Sequence, residues 1–238
     1  MNMNEADKLQ QLQQTIEYQF KNIDLLKQAL THSSYANEKR IRQVKDYERI
    51  EFLGDAVLEL VSSEYLYLES DAYLEGEMTK LRSTYVCEPA LAFCARELHI
   101  GQYIYLGKGE QQTGGRERDS ILSDCMEAII GAIFLDSNFE EAKQFIHRNI
   151  LSDLEDKKLF YDSKSSLQEF VQAKGKPPVT YRLVDESGPE HDKIFTIEVI
   201  LEENIVGRGT GKNKKSAEQN AAYQAIKMFK NQVKTKKS

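Results

Sequence analysis

The chain has 238 residues, 40% of them apolar and 29% charged, a length that allows one large domain or two smaller ones at ~150 residues per domain. Its net charge of −6 hides a split, because residues 1–156 carry 16 Lys+Arg against 28 Asp+Glu and residues 157–238 carry 16 against 10. A membrane-spanning helix is excluded: the longest uninterrupted apolar run, residues 128–135, is eight residues, where roughly 20 are needed.

The first fourteen residues are polar and rich in Gln, with no pattern of a secretory signal. Cys87, Cys94 and Cys125 form no CxxC pair, which fits a reducing compartment such as the cytoplasm. His32, His99, His147 and His191 are scattered without zinc-ligand spacing. Residues 1–155 read as helical. Leu25, Leu26, Ala29 and Leu30 give residues 24–30 a helical period. Residues 48–68 run without proline and with one glycine, Gly54. Pro89 suits the first turn of a helix over 90–98. A glycine-rich polar stretch, 107–118, reads as a loop, followed by helices over 120–135 and 139–154. Residues 156–166, charged and small, are the best linker candidate.

Beyond that point the period changes. Residues 165–173 read as a helix, with Ser165 and Gln168 in a capping-box spacing. Lys176-Pro177-Pro178 ends it. Strands are predicted over 180–184, 193–201 and 205–209, with a turn at 187–189. An Ala-rich helix follows over 214–229. The predicted architecture is an all-helical domain over 1–155, a linker at 156–162, an α-β-β-β-α domain over 163–233 and a basic tail at 234–238.

The chemistry is carried by acids. Glu51 and Asp55 stand four apart, so on a helix they share a face, where like charges repel. Phe52, Leu53, Ala56, Val57 and Leu58 surround them, which implies near-burial. Asp124 and Glu127 repeat the design three apart, and no Lys or Arg occurs between Arg118 and Lys143. Uncompensated carboxylates in apolar surroundings are expensive, so the counter-charge is a metal or a distant cation. Four carboxylates without histidine suit a hard ion, Mg²⁺ or Mn²⁺, and such ions activate water for attack on phosphodiesters. The competing reading makes Glu51 and Asp55 structural ion-pair partners of Arg49 or Arg82.

The run ERIEFLGDAVL at 48–58 resembles the signature of the ribonuclease III family. The similarity continues through 31–38 (THSSYANE), through Gly114-Gly115-Arg116, and through Asp119-Ser120-Ile121-Leu122-Ser123-Asp124 with Glu127-Ala128. The C-terminal part resembles a double-stranded-RNA-binding domain. Together they cover nearly the whole chain in the order of the bacterial enzymes. The resemblance implies an all-helical ribonuclease III endonuclease domain followed by that RNA-binding domain. It implies hydrolysis of double-stranded RNA with Mg²⁺, leaving 5′-phosphate and 3′-hydroxyl ends with a short 3′ overhang. It further implies rRNA and mRNA processing in the cytoplasm by a homodimer. Carried over, Glu51, Asp124 and Glu127 would bind the metal, while Asp55 and Glu127 would be essential for activating water and completing the metal sphere. Phe52 would anchor the dimer interface, or else be an ordinary core phenylalanine. Glu48 and Glu75 match acids near the RNA path, or are solvated. Asn37 and Asp119 match motif positions and read as supporting or capping groups. Departures are mild: Ile50 replaces a common leucine, and Cys125 and Met126 stand where alanine and phenylalanine are frequent. Cys125 reads as a small core residue.

Lys212, Lys214 and Lys215 open a helix whose dipole disfavours cations there, an arrangement that suits phosphate. A nucleotide-binding Walker motif fails, because Asn213 follows Gly211-Lys212 and Val206 takes the place of its first glycine. In an α-β-β-β-α domain these lysines would span a major groove. By resemblance, Gln168, Glu169 and His191 would face minor grooves, although His191 also reads as a plain loop histidine. Lys234, Lys236 and Lys237 read as a frayed tail. Two alternatives stay open. A non-catalytic RNA-binding protein is disfavoured by the intact carboxylates. A hydrolase of small phosphates is disfavoured by the basic second half.

Overall fold

A computed structural model describes residues 4–39, 44–154, 163–188, 193–211 and 213–235. The chain divides into two compact units, Met1–Leu154 and Glu155–Ser238.

The first unit is built from helices α1 (Glu5–Thr15), α2 (Ile23–Ala29), α3 (Ser33–Glu38), α4 (Glu48–Glu69), α5 (Glu75–Tyr85), α6 (Glu88–Glu97), α7 (Lys108–Gln112), α8 (Asp119–Asp136) and α9 (Phe139–Asn149). Asparagines start three of them: Asn4, Asn22 and Asn138 each accept a backbone N–H of the first turn. Helix α8 is apolar nearly all round, and eleven of its eighteen residues are buried. It is therefore the centre of the unit, with α2, α4, α6 and α9 laid against it. The core runs from Leu12 and Ile16 through Leu58, Val61 and Leu91 to Ile129, Ile133 and Phe145.

Helix α4 crosses α8 at unusually short range. A methyl group built on Gly54 would lie 1.8 Å from the carbonyl oxygen of Glu127. One built on Gly131 would lie 2.3 Å from the carbonyl oxygen of Ile50. Glycine on both sides is what lets the two backbones meet.

Two expectations about the first unit need correction here. Residues 107–118 are not a simple loop: they hold α7 and a 3₁₀ turn, Gly115–Glu117. Arg116 makes that compact path possible, because its Nη1 donates to the carbonyls of Gly101 (2.9 Å) and Ile104 (2.8 Å). The predicted helix over 139–154 ends at Asn149, and the chain turns at Asp153, whose φ is 51°. Helix α1, hidden in a polar Gln-rich segment, buries Leu9 and Leu12 on one face.

The second unit has a three-stranded antiparallel sheet in the order β1 (Thr180–Ser187), β2 (Ile194–Leu201), β3 (Asn204–Gly211). Helices α10 (Ser163–Ala173) and α11 (Lys214–Thr235) cover one face. Their core joins Leu167 and Val171 to Ile197, Val199, Leu201 and the alanines of α11. Alanines facing Gly207 and Gly209 let α11 lie flat on β3, since a methyl at either glycine would fall within 2.3 Å of α11 backbone. Strands β1 and β3 run further than predicted because both pair with Phe195 at the start of β2. The capping box at Ser165 is not formed. Helix α10 already begins at Ser163, whose buried hydroxyl donates to the Gln219 carbonyl at 2.8 Å. Helix α11 continues through Lys234 to Thr235, so Lys234 is not a frayed tail. The predicted linker at 156–162 and residues 236–238 lie outside the described residues.

Candidate active site

The crossing of α4 and α8 assembles the acids. Glu51 comes from the first turn of α4 and Asp55 from one turn further on, and Asp124 and Glu127 come from the second and third turns of α8. Glu51, Asp124 and Glu127 each offer a carboxylate oxygen, and these oxygens lie within 4.8 Å of one another. All three are half-buried, while Asp55 is exposed at the rim. The expected near-burial fails at Asp55, beside the exposed Phe52 and Ala56, and is only partial at Glu51, Asp124 and Glu127. Asp55 nevertheless acts on the cluster electrostatically.

Burial and neighbouring negative charges raise all three of these acids above the ordinary carboxylate range. Desolvation, then the charges of Asp124, Glu48 and Asp55, pushes Glu51 up to about 7. Desolvation, then Asp55, Glu51 and Asp124, pushes Glu127 up to about 8. Asp124 is raised as well, by desolvation and by Glu88, against hydrogen bonds from Ser123 and Tyr47 and the nearby His32. Among the described residues no Lys or Arg pairs with these four acids. Arg82, offered above as a structural partner, binds Glu59 instead (Nε to Oε2, 2.9 Å) and donates to Ser63 Oγ at 2.8 Å. Three converging oxygens that want positive charge and have no cation partner fit a hard divalent ion, which favours carboxylate donors.

The surrounding motif residues are braces. Thr31 and Tyr105 form a parallel bridge, with Tyr105 N–H donating to Leu30 and His32 N–H to Tyr105. Ser34 Oγ accepts from Gly107 N–H at 2.9 Å, and Glu38 Oε1 from Lys108 N–H at 2.7 Å. The segment 31–38 thus ties the chain before α4 to the chain before α8. Asp119 sits in the first turn of α8 and is ion-paired with Arg96; Asn37 is exposed within α3. Cys125 is fully buried, which supports the core reading. Phe52, by contrast, is 79% exposed in the single chain and belongs to no core. It begins a stripe along α4 that continues through Ala56, Leu60 and Tyr67. Glu48 and Glu75 are exposed.

In the second unit Lys214 and Lys215 are exposed at the start of α11, where Asn213 Oδ1 accepts the Ser216 N–H at 2.8 Å. That cap was missed from sequence, although Asn-x-x-Ser before an alanine run is a readable signal. Gln168 is half-buried and Glu169 exposed on α10. Lys212 and His191 lie outside the described residues. One residue of the first unit also escaped sequence reasoning: Gly131, which lets α8 meet α4, sits unremarked in an apolar run.

The fold and site together define a helical domain with a metal-fitting carboxylate centre, joined to a small α-β-β-β-α domain that presents lysines at a helix start. A model of Ribonuclease-III-like domains matches residues 22–154, and one of the double-stranded RNA binding motif matches residues 163–228. The chain is 48% identical to Ribonuclease 3 of Oceanobacillus iheyensis over 222 residues, 92% of this chain and 97% of that protein. A crystal structure of the nuclease domain of ribonuclease III from Campylobacter jejuni aligns with a TM-score of 0.55 at 44% identity, covering 59% of this chain and 92% of that one. A second structure of that domain, described for flexibility in a region involved in dimer formation, aligns at 0.55 and 42%, covering 60% and 99%. The chain belongs to the ribonuclease III family.

Proposed function

We propose that Glu51, Asp55, Asp124 and Glu127 form the catalytic centre of this chain, with Mg²⁺ as the natural ion and Mn²⁺ as a substitute. The chain is an endoribonuclease that acts on double-stranded RNA. The observation that carries the assignment is the convergence of three carboxylate oxygens within 4.8 Å, with no cation partner among the described residues. Glu51, Asp124 and Glu127 would hold the ion. When bound, the ion supplies an acidified water and stabilises charge on the phosphate oxygens. Asp55, exposed and coupled by charge to Glu127, would accept a proton from the attacking water. Glu127 feels the charge of Asp55 first and then those of Glu51 and Asp124, and would complete the metal sphere. The half-buried setting of the three ligands strengthens their electrostatic effect. The products would carry 5′-phosphate and 3′-hydroxyl ends.

Two such centres in a homodimer would cut opposite strands and leave a short 3′ overhang. The exposed stripe Phe52, Ala56, Leu60 and Tyr67 supports a second copy as its cover, because isolated domains rarely expose such a row. Lys212, Lys214 and Lys215 would bind phosphates, with Gln168, Glu169 and His191 in minor grooves. Such contacts read A-form shape over ~16 base pairs. Precursor rRNA and mRNA hairpins in the cytoplasm fit as substrates. Among the described residues no helix is long and apolar enough to cross a membrane.

The test is cleavage of a long uniform RNA duplex with Mg²⁺ or with chelator, read on a sequencing gel. Asp55→Ala and Glu127→Ala should abolish cutting while leaving duplex binding intact. Parental cutting by either variant would end the assignment.

A further inference from the structure

We propose that Lys164 is a positioning residue for RNA binding: its ion pair with Glu218 holds that carboxylate away from Lys214 and Lys215 and leaves both lysines to phosphate. The inference rests on the lysine reading above and deepens it.

Glu218 is the one acid in residues 207–237, against nine Lys and Arg. It stands four residues after Lys214 and three after Lys215 on α11. At those spacings the side chains of a helix are neighbours, and opposite charges pair. An isolated α11 would therefore turn its acid on the two lysines that open it.

The fold supplies another partner. Lys164, in the first turn of α10, donates from Nζ to Glu218 Oε2 at 2.5 Å. It is held from a second side, with Nζ 5.0 Å from the centre of the Tyr181 ring. Its neighbour Ser163 is fully buried and donates to the Gln219 carbonyl at 2.8 Å. Residues 163 and 164 thus grip 219 and 218, and the Glu218 carboxylate is engaged by α10. A second acid that acts on Lys214 by charge, Glu186, is engaged likewise: its Oε1 accepts from Lys193 Nζ at 2.6 Å. Among the described residues neither Lys214 nor Lys215 has an ion-pair partner, and both are exposed. The salt dependence of binding counts the phosphates that a protein neutralises. A lysine already compensated by its own helix contributes less to that count.

The test is duplex binding by the full chain, with chelator so that the RNA stays intact, across a KCl titration. Lys164→Gln should lower the slope of log K against log[KCl] by ~1, the share of one phosphate contact. Glu218→Gln should not lower it. The double variant has the parental net charge and should return to the parental slope. A parental slope in Lys164→Gln would overturn the proposal. So would a slope that stays low in the double variant, because Lys164 would then touch phosphate itself. Ser163→Ala loosens the same helix contact without changing charge; an equal loss of slope there would make packing the cause and overturn the proposal as well. The lysine reading fails separately, if Lys214→Ala with Lys215→Ala keeps the parental slope.

Discussion

Replacing Gly54 by alanine adds one methyl group where α4 and α8 cross, at a position that carries no catalytic atom. The methyl would lie 1.8 Å from the Glu127 carbonyl oxygen, 2.7 Å from its carbon and 2.9 Å from the Gly131 nitrogen. All three neighbours are backbone, so no side chain can swing aside. Carbon contacts settle near ~3.5 Å, and relief therefore requires the helices to part by roughly 1.5 Å. Overpacking a core by a methyl costs about 1–3 kcal/mol, and a clash against rigid backbone belongs at the upper end. At about 2–4 °C per kcal/mol for a chain of this size, Gly54→Ala should melt several degrees below the parent. The same separation carries Glu127 away from Glu51, and a 1 Å misplacement at a catalytic site can cost ~10²-fold in rate. The assay is a thermal melt alongside initial cleavage rates on a long duplex at saturating Mg²⁺. Gly76→Ala in α5 is the control, because a methyl there meets nothing within 4 Å. Parental Tm and parental cleavage in Gly54→Ala would refute the claim that glycine contact builds the site.

The cluster also predicts how metal stabilisation depends on pH. Glu51 and Glu127 stand at about 7 and about 8, above the ordinary value of 4.5. Without metal they are tolerated while protonated, and that tolerance is lost as pH rises through 7 and 8. The Tm gain from Mg²⁺ should therefore be small at pH 5.5 and larger at pH 8.5, and equal gains at both would contradict the coupling. Lys214→Ala with Lys215→Ala should lower the salt slope of duplex binding by ~1 per lost phosphate contact, with the rate at saturating duplex unchanged; an unaltered slope would remove both lysines from the interface. Phe52→Asp should give a monomer by sedimentation. A two-fold interface loses each contact twice, so at ≥ 2 kcal/mol per anchor the dissociation constant rises by about a thousandfold. A dimer of parental affinity would exclude this stripe.

What the sequence determined by itself is local. The four-residue spacing of Glu51 and Asp55 and the three-residue spacing of Asp124 and Glu127 put each pair on one helix face, since helical period is a property of consecutive residues. The same holds for the apolar wrap of α8 and for the change to alternating strands after residue 180. The absence of cations near 119–142 already called for a counter-charge from a metal or from elsewhere in the fold. Other features depended on which surfaces meet. Arg82 could have neutralised Glu51, and only the packing of α5 on α4 sends it to Glu59. Phe52 read equally well as core or interface until the fold left it outside. The stretch 107–118 looked like a loop because its short helices are held by distant carbonyls, at Gly101 and Ile104. Gly54 and Gly131 are 77 positions apart in the chain, and neither says from sequence that it faces the other. Their contact brings the two legible half-sites together, because backbones without Cβ atoms approach closely there and the carboxylate oxygens of Glu51, Asp124 and Glu127 come within 4.8 Å of one another.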